Sequence, residues 1–90
     1  MSHPVSELFF SMEKAKKCRD SINALKQASL VTDQEREVRK AIYRLQMNEA
    51  LSRTNDRLGP AMSVADKYEV RLIKSAYTDL LKTISVECVY

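Results

Sequence analysis

Residues 32–58 read TDQEREVRKAIYRLQMNEALSRTNDRL, and the placing of the apolar residues within them decides the fold. Each residue of a helix turns about 100° around the axis. Val38, Ala41, Ile42 and Leu45 therefore share one side in the first half of the stretch. Met47, Ala50, Leu51, Thr54 and Leu58, with Tyr43 just before them, share roughly the opposite side. A helix with one apolar face needs one neighbour. This one needs two, so it is expected to be a central helix that the rest of the chain, or a second copy, closes around.

The flanks of the stretch set its expected bounds. Thr32-Asp33-Gln34-Glu35 has the pattern of a capping box, in which the Thr hydroxyl accepts from the N–H three residues on. Leu58-Gly59-Pro60 reads as a stop, because Gly tolerates the left-handed conformation that ends helices and Pro cannot continue one. The second helix is thus predicted over about 33–58. Before it, Pro4 suits a first helical turn, and Val5, Leu8, Met12, Ala15, Cys18, Ile22 and Leu25 form a heptad-like seam. That predicts a first helix over about 4–28, joined to the second by a connection short enough to make an antiparallel hairpin. Phe10 falls on the far side of that helix and is expected to be exposed or to meet something else.

After the stop, Ser63 is the predicted cap of a third helix over about 64–84, with Asp66 as its acidic partner. Tyr68, Leu72 and Ala76 make one apolar row there, and Ile73, Tyr77, Leu80, Leu81 and Ile84 make another beside it. Residues 85–90 are β-branched and alternate, and are expected to be a tail, either frayed helix or extended. The fold class is all-α: a small three-helix bundle, a hairpin plus a third helix, associating as a homodimer.

The totals agree with that class. The chain has 90 residues, enough for one domain, with 44% hydrophobic and 30% charged residues and a single Gly. So little Gly and Pro cannot punctuate a many-stranded sheet. The net charge of +3 is mild, and the signs are interleaved rather than blocked. No apolar run is long enough to span a membrane, and Met1-Ser2-His3-Pro4-Val5 has no secretory pattern, so a cytoplasmic location is expected. Cys18 and Cys88, far apart and without a C-x-x-C motif, are expected to be reduced thiols rather than a disulfide or zinc pair.

No residue pattern here carries catalysis. His3 is alone at the start of the chain, away from any partner a catalytic His needs. Asp33, Glu35 and Glu37 crowd the first turns of the second helix, where they complement its dipole. Glu49 is expected to mark the solvent edge of the Val38–Ile42–Leu45 row. Arg19-Asp20-Ser21-Ile22 and Val31-Thr32-Asp33 with Arg36-Glu37 resemble motif fragments of the all-helical chorismate mutases. The spacing between them is too short for that family, and the cationic residues that clamp its substrate have no counterpart on the first helix. No enzyme activity, cofactor or metal is expected.

What remains is surface. Surplus apolar rows on the second and third helices point to another protein as partner, with Tyr43, Met47, Leu51, Tyr77 and Leu81 as the expected contacts, because aromatics and Met are over-used at interfaces. The alternative is nucleic acid. Arg36, Arg39, Lys40 and Arg44 cluster on the second helix, and Lys67, Arg71, Lys74 and Lys82 follow one line of the third, a spacing that can track phosphates.

Overall fold

The computed structural model describes residues 3–88. Helix α1 (Pro4–Gln27) starts where Pro4 needs no N–H partner, and the His3 Nδ1 accepts from the Val5 N–H at 3.2 Å. His3 is thereby a cap. The expected seam of α1 is buried along its whole length, from Val5 to Leu25, and Phe10 is exposed on the far side. Helix α2 (Asp33–Val64) begins as the capping pattern requires, with the Thr32 Oγ1 accepting from the Glu35 N–H at 3.1 Å.

Between the two helices, Arg36 closes the hairpin. Its Nε donates to the Leu25 carbonyl (2.9 Å) and its Nη2 to the Ala28 carbonyl (2.5 Å), while Nη1 meets the Asp33 carboxylate at 2.9 Å. The last carbonyls of a helix have no partner within it, so a guanidinium fork from the next helix satisfies them and favours the negative end of the dipole. Arg36→Ala is expected to cost about 1.5–3 kcal/mol, read from denaturant unfolding at an unchanged m value. Arg36→Lys recovers only part, because an ammonium cannot reproduce the planar fork.

The expected stop at Gly59-Pro60 is overturned. α2 runs on through both residues for 32 residues in all, and Gly59 does not adopt a positive φ. A proline inside a helix removes one backbone hydrogen bond and costs about 3 kcal/mol. The compensation lies just beyond it. Ala61 is fully buried, and Met62 and Ala65 pack against the same core, so ending at Leu58 would forfeit that burial. At 1.5 Å per residue, α2 accounts for the whole 48 Å length of the molecule.

Helix α3 (Lys67–Cys88) is correspondingly displaced from its expected start. Ser63 lies inside α2 and caps nothing. The cap is Asp66, whose Oδ1 accepts from the Glu69 N–H (2.8 Å) while the Glu69 Oε1 accepts from the Asp66 N–H (3.1 Å). The predicted tail is helix as far as Cys88, and residues 89–90 lie outside the described residues.

α1 and α2 pack along each other as a hairpin, and α3 sits further out, closer to α1 than to α2. One core joins all three. Leu8, Met12, Ala15 and Ile22 from α1 meet Met47, Ala50 and Ala61 from α2 and Ile73, Leu80 and Ile84 from α3. Besides Arg36, further polar ties cross the helices: the Arg57 Nη1 donates to the Glu7 carbonyl (3.1 Å) and to the Ser11 hydroxyl, and the Tyr77 hydroxyl donates to the Asn55 Oδ1 (2.6 Å). Among the described residues, no helix is long and apolar enough to cross a membrane.

Candidate functional site

The two apolar rows of α2 meet different fates. The row of Tyr43, Met47, Ala50, Leu51, Thr54 and Leu58 faces the core, where Met47 is 1% exposed and the buried Thr54 hydroxyl donates to the Ala50 carbonyl at 2.8 Å. The opposite row is left in water. Val38 is 55% exposed, Ile42 50% and Leu45 65%, with Ala41 exposed beside them. Three large aliphatic side chains in consecutive turns of one helix make a contiguous stripe, unlike the scattered single residues normal on a surface. An open depression lined by Thr32, Gln34, Glu35, Val38 and Arg39 marks its N-terminal end. Glu49, exposed as expected, marks the other.

Of the five expected contact residues, Met47 belongs to the core, and Tyr43, Leu51 and Tyr77 are half-buried against it. Leu81 alone is exposed, at 45%. The structure therefore does not bring the five together on an outer surface. The outward stripe of α2 is Val38, Ile42 and Leu45, which sequence reasoning passed over as contacts because Met and aromatics dominate interfaces in general. The missed signal was length. The Met47 row continues at helical spacing through Ala61, whereas the Val38 row is closed by Gln34 and Glu35 at one end and Glu49 at the other. A row that spans the helix faces the core.

The basic residues also separate. On α2, Arg36 is engaged with the end of α1, Lys40 lies 3.7 Å from Glu37 with its side chain largely covered, and Arg44 is half-buried. Arg39 is exposed. On α3, Lys67, Arg71, Lys74 and Lys82 are all exposed along one line. No group of three His, Cys, Asp or Glu side chains among the described residues could hold a metal ion. Cys18 is free and buried, and burial raises its thiol pKa above the ordinary value, with Lys14 pulling weakly the other way. That keeps it in the unreactive thiol form. The side chain of Cys88 lies outside the described residues.

These features define an all-helical chain, a hairpin plus one outer helix, with an uncovered aliphatic stripe on its longest helix. Compared with protein-family models, curated proteins and solved structures, the chain finds no match among them.

Proposed function

We infer that the chain is a non-enzymatic protein-binding module, of the small regulator, inhibitor or chaperone kind, which engages a partner protein through the outer face of α2. The observation that carries this reading is the exposure of Val38, Ile42 and Leu45 on consecutive turns, directly behind a helix whose inner face is already covered. Burying an aliphatic side chain is worth about 1.5–3 kcal/mol, so leaving three such residues in water on one stripe favours a partner. Leu81, and Tyr68 and Leu72 on the borders of α3, offer further but more scattered apolar surface.

The test is a photo-reactive side chain placed at position 41, on the border of the stripe, in the source cell. The expected result is a covalent adduct with a protein that disappears when Leu45→Glu is added. No adduct, or one indifferent to Leu45→Glu, contradicts the reading.

Nucleic acid is the second reading, favoured by one observation: Lys67, Arg71, Lys74 and Lys82 all reach solvent on one line of α3. A solvated helix face has the same composition, and the α2 half of the basic surface is largely drawn into contacts of its own. Salt separates the two readings, since phosphate contacts weaken steeply with ionic strength and aliphatic contacts do not.

A further inference from the structure

We propose that the outer stripe of α2 is an antiparallel seam for a second copy of this chain, which rests on the reading of that stripe as a protein-binding surface and names its occupant. The ground is the order of charge beside the stripe. Along one edge of the stripe Glu35, Arg39, Gln46, Glu49 and Arg53 follow one another at helical spacing, Glu49 on the line of the stripe itself and the others outside it, and all are exposed. Their signs run acidic, basic, neutral, acidic, basic. Reversed, the order is basic, acidic, neutral, basic, acidic. Two antiparallel copies therefore set Glu35 against Arg53 of the second copy and Arg39 against Glu49 of the second copy, each twice by the twofold axis.

Both pairs share one midpoint, at residue 44, so a single register satisfies both. Ile42 and Leu45 stand on either side of that midpoint, and Ile42 of one copy meets Leu45 of the other at the centre of the seam. The four charged side chains form no ion pair among the described residues, so the seam takes nothing from the fold of either copy.

The other flank completes the match. Gln34, Ala41, Asn48 and Ser52, next to the stripe, are exposed and uncharged, with Glu37 further round, and in the same register Ala41 comes within one residue of level with Asn48 of the second copy. A small side chain there lets the helices approach closely. A parallel pairing sets the charged flank against this largely neutral one and joins neither of the two pairs, so the direction follows from the order of charge. The seam from Glu35 to Arg53 is about 27 Å long at 1.5 Å per residue. One helix pair of that length falls at the small end of specific interfaces, below about 1,200 Å² in total, which suits a reversible dimer rather than an obligate one.

Sedimentation equilibrium of the full chain tests this at concentrations up to about 200 µM, where a dissociation constant in the micromolar range is read directly. The wild type is expected to be a monomer–dimer mixture. Arg39→Glu and Glu49→Arg each place like charges together twice and are expected to weaken association at least about tenfold. Mixed in equal amounts, these two variants restore it, because every flanking contact in the mixed dimer then joins opposite signs. The double variant Arg39→Glu/Glu49→Arg restores it alone, and all variants keep the wild-type helical circular dichroism because both positions are exposed. A wild type that stays monomeric, or a mixture no tighter than its parts, overturns the seam. A photo-adduct at position 41 with a different protein, beside a monomeric wild type, overturns the seam and leaves the protein-binding reading standing.

Discussion

Replacing Met47 with aspartate unfolds the chain. Met47 is 1% exposed and packs in the cluster that joins all three helices. A carboxylate there either loses its hydration without a partner or takes up a proton at a raised pKa, and the lost thioether leaves a void besides. Substitutions that bury an unpaired charge are among the few that exceed about 4 kcal/mol. Small domains hold a total stability of only about 5 kcal/mol or somewhat more, so little folded protein remains. Far-UV circular dichroism at 25 °C is expected to show loss of most of the helical signal. A folded Met47→Asp chain would mean that Met47 faces outward.

The second large effect falls on α3. Ile73 is fully buried, and with Leu80 and Ile84 it supplies buried apolar contacts of that helix among the described residues. Ile73→Ala removes the packing of three carbon atoms and is expected to cost about 2–5 kcal/mol. The loss is expected to be uneven. α1 and α2 hold each other along their lengths, whereas α3 sits further out and is tied to α2 by the Tyr77–Asn55 bond. Hydrogen exchange should therefore show amides of α3 losing protection first, with the hairpin amides still protected, as expected for a locally opening unit. Equal loss of protection across all three helices would contradict the peripheral standing of α3.

Much of this architecture was legible in the residues. The seam of α1, the Thr32 cap and the two opposed rows of α2 all follow from periodicity, because each is set by local geometry that the packing reinforces. The end of α2 was not legible, since Gly59-Pro60 is a strong local stop whose cost is offset only by burial of Ala61 and its neighbours in three dimensions. That error moved the start of α3, and it hid the Asp66–Glu69 capping box behind the plainer Ser63. The expected contact residues lie where they do for a related reason, with Met47 in the core and Tyr43, Leu51 and Tyr77 half-buried against it. Residue type favoured Met47 and Tyr43 as contacts, but the helix must give its longer row to its own core, and the shorter aliphatic row is what stays outside.

Arg36 shows the same limit at the scale of one side chain. On the helical wheel it belongs to a basic cluster with Arg39, Lys40 and Arg44, and only the fold brings the Leu25 and Ala28 carbonyls within its reach. Charge patterning alone cannot distinguish a cation that caps a neighbouring helix from one that waits for a phosphate.

The two-faced character of α2 is tested most directly by thermal unfolding of Ile42→Asp beside Met47→Asp, at protein concentrations low enough to keep both monomeric. Ile42→Asp is expected to melt within a few degrees of the wild type, since surface changes usually fall within about 0.5 kcal/mol, whereas Met47→Asp shows no cooperative transition. Equal losses at the two positions, or a collapse at Ile42 with Met47 tolerant, would mean that the row assigned to solvent is in truth the core.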